Sequence, residues 1–384
     1  MRSPAATLFR YRHPRPHGAG GCAISEASAR VPAPGLPALD PRPAARHIAR
    51  VREDQLAAYL REQMPHAAEL RVSNVARIFG GASRETWSFE AAWSENGAAI
   101  QRSFIARRDP PASLLSDNDL LEYDIYAAIE GSDIPVPVVH WIDRQGAALE
   151  RPTFIMGRLP GATDASALAT SPAFAGLRPT IARQKAQILA RIHDVDIEKI
   201  PSLERPPSPG QSALYEVEKW ERTMRQDTLE PQPVLEFAFN WMKRRLPPPP
   251  EKLVLVHGDY RTGNFLYDQE SGITGILDWE MAHAGDPVED LGWAVIKSWR
   301  WARNDLVGGL CPREDFVHMY EEASGRIVDR DALKFWEVFS NVKFAIIFIT
   351  GTKSIVEGKT PDLLLALTAF VNPGVEVELL ELIK

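Results

Sequence analysis

The chain reads as an α+β protein of two lobes, a small β-rich lobe followed by a larger, mainly helical one. Three observations lead there. Strand-like apolar segments gather between residues 75 and 156. Helical spacing dominates after Met156. One strand-rich island, Leu253 to Leu277, interrupts that helical half. The expected boundaries are a leader at 1–50, an N-terminal lobe at 51–157 and a C-terminal lobe at 158–384.

The elements follow in order. Asp54 is placed to cap a short helix through Leu56, Tyr59 and Leu60. Val75 to Phe79 reads as a strand, Gly80-Gly81 as a turn, and Thr86 to Ala91 as the next strand. Ile100 to Arg107 is a third. Leu120 to Ile129 has helical spacing, with Gly131 beyond its end. Pro135-Val136-Pro137 restarts an extended segment, and Phe154 to Met156 is another strand. Helices are then expected at Ile181–Ile192, Tyr215–Met224, Val234–Leu246, Leu291–Trp301 and Leu333–Ile349.

Residues 1–50 differ from the rest. They hold eight Arg, no Lys, eight Pro and two acids, for a net +6 against −13 elsewhere. Such a segment cannot build a core and is expected to be disordered. It lacks the apolar stretch of a secretory signal, and Pro4, Pro14 and Pro16 interrupt an amphipathic transit helix. A cytoplasmic protein is the expectation. A mitochondrial address and a start codon placed too far upstream stay open as readings of the leader.

Composition narrows the function classes. The net charge of −7 argues against a general nucleic-acid binder. Cys22 and Cys311 are the only cysteines, so no disulfide framework and no zinc cluster is expected. The longest apolar run, Leu363 to Val371, is too short to span a membrane.

Chemistry concentrates in the island. An apolar strand ends at Val256, and His257-Gly258-Asp259 follows at once. Phe265–Asp268 and Ile273–Leu277 form a hairpin across Gln269–Gly272. Facing residues of a hairpin share one index sum, here near 541, and Asn264 with Asp278 give 542. The two therefore meet at the open end, where the loop carrying Asp259 arrives. Two carboxylates and an amide suit Mg²⁺, with Asn264 and Asp278 as its ligands. Asp259 is left to accept or orient a hydroxyl. This is the spacing of the kinase catalytic loop, so the expected fold is protein-kinase-like, with ATP and Mg²⁺ between the lobes. Gly258 replaces the kinase Arg, and Asp278-Trp279-Glu280 replaces Asp-Phe-Gly. A two-metal hydrolase built on His257, Asp259, Asp278, His283 and Asp286 is the competing reading.

The string from His257 to Asn264, then Leu277 to Glu280, Gly285-Asp286-Pro287 and Asp290-Leu291, resembles the aminoglycoside phosphotransferase and choline kinase superfamily. The nearest likeness is to the kinase domains related to those fused to acyl-CoA dehydrogenases, over about residues 50–384. The resemblance implies that Asp259 is the catalytic base and that Asn264 and Asp278 bind magnesium. It also implies that Asp290 braces the catalytic loop. His257 is expected to order that loop.

The nucleotide side is sought in the first lobe. Gly80, Gly81 and Ser83 form a candidate phosphate loop between two strands. At the end of the third strand, Ile105 and Arg107 share one face while Ala106 and Arg108 share the other. Arg107 is the better candidate for the phosphate-binding cation, with Arg108 as alternative. The resemblance aligns Glu122 with its helix partner. Met156, in the lobe connector, is a candidate for lining the base.

For the acceptor, residues 291–384 hold 13 Asp+Glu and 11 Lys+Arg, so no excess of acid awaits a cation. On one continuous helix Trp293, Lys297, Arg300 and Trp301 would share a face. Together with Arg303 they suit an anionic or planar group. The expected partner is a small molecule with a hydroxyl, such as a hydroxyacyl-CoA, with no nucleic acid and no membrane. A cationic acceptor of the aminoglycoside or choline type, and a nucleotide-binding protein without catalysis, are the alternatives.

Overall fold

The computed structural model describes residues 51–78, 84–109, 121–301, 305–359, 367 and 370–384. All of them belong to one unit, Arg50–Lys384. The leader, including its expected disorder, lies outside the described residues.

Helix α1 (Glu53–Gln63) comes first. It starts two residues earlier than expected, and Asp54 is not its cap. The capping position is Arg52, which makes no side-chain cap; its guanidinium bonds Asp54 at 3.1 Å instead. Five antiparallel strands then form a sheet in the order β1-β2-β3-β5-β4. These are β1 (Ala68–Ile78), β2 (Glu85–Glu95), β3 (Ala98–Arg108), β4 (Val139–Asp143) and β5 (Thr153–Gly157). The first three outrun their expected lengths. β1 is an edge strand with mostly exposed positions, so its sequence lacks the alternation that would reveal it. It bulges at both of its register shifts, where Glu69 and Asn74 take φ of +57°. Helix α2 (Leu121–Ile129) lies between β3 and β4 in the chain.

The second half is helical, as expected. It holds α3 (Ala165–Thr170), α4 (Arg178–Ile192), α5 (Ser212–Asp227), α6 (Pro233–Lys243), α7 (Pro287–Val295), α8 (Arg313–Ser324), α9 (Arg330–Val356) and a C-terminal helix, Asn372–Ile383. The expected helix Leu291–Trp301 is not continuous. It ends at Val295 and yields to a short 3₁₀ turn at Lys297–Trp299. Helices α7 and α9 approach so closely that a Cβ on Gly292 would lie 2.6 Å from the backbone of Trp336.

The island supplies three short strands, and a fourth follows just beyond it. β6 (Val254–Val256) pairs with β9 (His283–Gly285), and β7 (Phe265–Asp268) pairs with β8 (Gly272–Ile276). Phe265 faces Ile276 and Leu266 faces Gly275, which is the expected sum of 541. A bulge at Thr274 then shifts the register toward the tip. Beneath the island, one apolar cluster joins Ile105, Tyr126, Phe154 and Met156 of the first half to Leu255, Phe265, Trp279 and Leu291 of the second. The island is thus seated on both halves. Among the described residues, no helix is long and apolar enough to cross a membrane.

Candidate active site

The loop after β6 is held from below by Asp290. This fully buried carboxylate accepts the N–H of His257 at 2.7 Å and of Gly258 at 2.9 Å. His193, at the end of α4, donates to it from Nε2 at 3.2 Å and accepts the Tyr320 hydroxyl on Nδ1 at 2.7 Å. Burial would raise the Asp290 pKa, but these donors outweigh it and hold the group below its ordinary value. Gly258 has φ +79°, and a Cβ there would stand 2.2 Å from the Met281 carbonyl oxygen. Only glycine fits, which explains why the kinase arginine is absent.

His257 is buried between loops. Its Nδ1 accepts the N–H of Asp259 at 3.2 Å, so Nε2 carries the proton and donates to the Leu277 carbonyl at 3.1 Å. Its ring packs on Trp279 at 4.5 Å. Burial lowers its pKa, which keeps the ring neutral. The side chain therefore ties the loop of Asp259 to the loop of Asp278.

Asp259 is hydrogen-bonded at both oxygens, with Arg261 Nε–H shared between them at 3.1 and 3.3 Å. Oδ1 accepts the Trp293 indole N–H at 2.7 Å and Arg261 Nε–H at 3.1 Å. Oδ2 accepts from Asn264 Nδ2 at 2.5 Å. The same Nδ2 donates to the Asp259 carbonyl at 3.0 Å. Asn264 Oδ1 is then the atom left to face a cation. The Leu277 N–H bonds the Asn264 carbonyl at 2.9 Å, which sets Asp278 beside Asn264 as the hairpin sum requires. Asp278 adopts φ +73°, an uncommon conformation for a non-glycine residue.

From the sheet, Arg107 reaches this point. Its Nη2 lies 3.1 Å from Glu122 and 3.1 Å from Asp278, and Nη1 bonds the Thr86 hydroxyl at 3.1 Å. Burial would lower its pKa, but Glu122 and Asp278 raise it, so the charge is permanent. Arg108 points to the other face and pairs with Glu85 at 2.7 Å. These contacts, and not alternation alone, place Arg107 on the side of Asp278. Arg84, absent from the sequence reading, also bonds Glu122 at 3.2 Å. Met156 stands opposite Ile105 and Val139 with its side chain in the apolar cluster, 6% exposed. Gly80, Gly81, Ser83 and Arg303 lie outside the described residues.

Two expectations on the acceptor side need correction. Because α7 stops at Val295, Trp293, Lys297, Arg300 and Trp301 do not share one helical face. Trp293 is 2% exposed and holds Asp259, instead of presenting a surface to substrate. Arg300 folds back onto the Val295 carbonyl at 2.9 Å and closes the helix end.

The competing hydrolase set is not assembled either. His283 turns away from Asp259 toward Glu289 at 3.1 Å and Glu216 at 3.8 Å, and Asp286 caps α7 through the Val288 N–H at 2.8 Å. Glu216, His283 and Glu289 are close enough to hold a metal. Their charge is already met by Lys219, 3.3 Å from Glu216, and Lys343, 3.5 Å from Glu289. Lys343 also donates to the Gly258 carbonyl at 2.8 Å, a further brace on the loop that the sequence did not reveal.

Known proteins resemble this chain. A profile of the family described as "Phosphotransferase enzyme family" matches residues 74–336, well over half of the chain. Acyl-CoA dehydrogenase family member 10 of Mus musculus is 28% identical over 204 residues, 51% of this chain and 18% of that protein. Acyl-CoA dehydrogenase family member 11 of Rattus norvegicus is 25% identical over 246 residues, 62% of this chain and 30% of that protein. The chain spans less than a third of either relative. Among solved structures, a candidate aminoglycoside phosphotransferase from Ralstonia eutropha superposes with a TM-score of 0.66 at 22% identity, covering 86% of this chain and 97% of its own. The aminoglycoside phosphotransferase APH(4)-Ia, in complex with ADP and hygromycin B, gives 0.58 at 15% identity, with 86% and 98% covered. The two halves therefore have the kinase-like architecture of these enzymes.

Proposed function

Since the chain belongs to the phosphotransferase enzyme family, we propose that it transfers the γ-phosphoryl group of ATP to the hydroxyl of a small molecule. The observation that carries this reading is the junction of Arg107, Asp278, Asn264 and Asp259, drawn from four elements to one point. Arg107 binds the nucleotide phosphates, and Glu122 keeps it aimed. Gly80, Gly81 and Ser83 are the residues proposed to bind those phosphates.

Asn264 Oδ1 and the Asp278 carboxylate fit a magnesium ion, being hard oxygen donors at one end of a hairpin. Bound there, magnesium neutralises phosphate charge and orients the γ-phosphoryl group. Asp278 must then exchange its contact with Arg107 for the ion. Asp259 positions the acceptor hydroxyl through Oδ2, which accepts from Asn264 and only a long 3.3 Å contact from Arg261. His257 and Asp290 hold the loop in place. A carboxylate near pH 7 is a weak base, so orientation carries much of its effect.

The acceptor is a hydroxyacyl compound, specifically a hydroxyacyl-CoA thioester. Two relatives named as acyl-CoA dehydrogenase family members support this class. A cationic acceptor, such as the hygromycin B bound by APH(4)-Ia, is the second reading.

Magnesium-dependent ADP release, measured across hydroxyacyl-CoA thioesters, aminoglycosides, choline and sugars, tests the proposal. Asp259→Asn serves as the blank and is expected to lower kcat by about 10² to 10⁴ with ATP affinity kept. Full activity in that variant refutes the assignment. Stimulation by cationic acceptors alone refutes the acceptor class and leaves the chemistry standing. Binding of Mg·ATP without turnover on any acceptor favours a nucleotide-binding protein without catalysis.

A further inference from the structure

We propose that Arg261 is a second catalytic cation, one that grips the phosphoryl group while it passes from nucleotide to acceptor. This rests on the phosphotransferase reading above and adds a residue to it.

Arg261 sits in the loop two positions beyond Asp259. Its Nε–H lies 3.1 Å from Asp259 Oδ1 and 3.3 Å from Oδ2. The guanidinium is therefore beside the carboxylate that meets the acceptor. Its carbon lies 4.7 Å from the centre of the Trp299 ring. That face holds the group without consuming any N–H. Among the described residues, Nη1 and Nη2 make no hydrogen bond, and the side chain is 23% exposed. The backbone makes room for it as well. Gly263 has φ +139°, and a Cβ there would come within 2.7 Å of Arg261 Nη1.

Among the described residues, three other cations nearby have tasks of their own. Arg107 serves Glu122, Asp278 and Thr86. Lys343 holds the Gly258 carbonyl. Lys185 is buried over the rings of Tyr260 and Phe316. Meanwhile Asp259 and the incoming phosphoryl group carry like charge and must approach closely. A cation touching both is what that approach requires, and an arginine fork matches phosphate oxygens with two N–H groups.

In the step itself, the acceptor oxygen bonds to the γ-phosphorus. The bond from that phosphorus to the β,γ-bridging oxygen breaks, and its electron pair leaves on ADP. The hydroxyl proton passes to Asp259 Oδ2 and then to solvent. Arg261 keeps Nε on Asp259 and offers Nη1 and Nη2 to the equatorial phosphoryl oxygens, where charge is greatest in flight.

The test needs no acceptor. Binding of Mg·ADP is compared with binding of Mg·ADP plus aluminium fluoride, which mimics the phosphoryl group in transit, on the full chain. Arg261→Ala is expected to bind Mg·ADP as the wild type does and to lose about 10² to 10³ of the fluoride enhancement. Arg261→Lys, which keeps a charge and guards against misfolding of the alanine variant, is expected to retain part of it. An unchanged enhancement in both variants overturns the role of Arg261 and leaves the phosphotransferase reading intact. Failure of the wild type to bind Mg·ADP refutes that reading and this proposal with it.

Discussion

The indole N–H of Trp293 donates to Oδ1 of Asp259 across 2.7 Å, linking the core of the helical half to the carboxylate at the head of the site. Trp293 itself is buried against Phe344, Trp299 and Lys343, so the donor has little freedom to move. A hydrogen bond to a charged group contributes about 1.5–3 kcal/mol. Trp293→Phe is therefore expected to lower kcat by roughly 10- to 100-fold with the KM for ATP unchanged. Steady-state kinetics of ADP release decide it. A raised acceptor KM at constant kcat would make Trp293 a substrate contact, as its sequence position first suggests.

Asp290 is expected to matter for stability before chemistry. Asp290→Ala would leave the N–H groups of His257 and Gly258 without an acceptor in a buried place. Breaking such a set costs about 3–5 kcal/mol. A large fall in the unfolding midpoint, together with lost activity, is the expected outcome. Asp290→Asn keeps one acceptor oxygen and should fall between. Unchanged unfolding in both variants would show that the loop does not depend on this brace.

His283 gives the fold a pH dependence. Burial alone would depress its pKa, but Glu216 and Glu289 overcome that and push it up to about 9. Lys219 lowers it in turn and tempers the effect, while Lys343 pairs with Glu289 at 3.5 Å. A raised pKa means that the folded state holds the proton more tightly. Its stabilising share is complete below about pH 6.5 and is lost as pH rises through 9. The unfolding midpoint of the wild type minus that of His283→Gln should therefore shrink across this window. A constant difference would contradict the pairing.

Lys185 works in the opposite direction. Its ammonium is fully buried with no hydrogen-bond partner among the described residues, and burial lowers its pKa to about 8. Between that value and the ordinary 10.5 the unfolded chain binds more protons, so this group makes stability rise with pH there. Lys185→Met should stabilise the protein by about 2–3 kcal/mol at neutral pH. The gain should vanish above pH 10.5. Chemical denaturation at two pH values measures both parts. A destabilised variant at neutral pH would show that the ammonium has a partner in solution.

Much of the site was legible because its residues are near one another in sequence. Asn264 and Asp278 converge through a hairpin whose register follows from backbone geometry alone, and the pairs Phe265–Ile276 and Leu266–Gly275 keep that register. Alternation along β3 narrowed the cation to Arg107 or Arg108 but could not choose, because alternation defines two faces and not which one meets the cleft. The contacts of Arg107 with Asp278 and of Arg108 with Glu85 make that choice.

What stayed hidden depends on distant parts of the chain. The brace of Asp290 by His193, the hold of Lys343 on Gly258 and the burial of Lys185 all join elements far apart in the chain. The apparent helix from Leu291 to Trp301 misled for the same reason. Its residues have helical spacing, yet the chain turns at Ile296, and Arg300 returns to the Val295 carbonyl.

By itself, then, the sequence determined the two-part layout, the string from His257 to Asn264 and the meeting of Asp259, Asn264 and Asp278. These rest on periodicity and on hydrogen-bonded pairing over short spans, which local backbone geometry dictates. Only the tertiary structure decided which arginine faces the cleft, that Trp293 serves Asp259, and that Arg261 keeps two donors in hand. Those outcomes follow from packing and from the balance of buried charge, which sum over residues far apart in the chain and leave no mark in any single stretch of it.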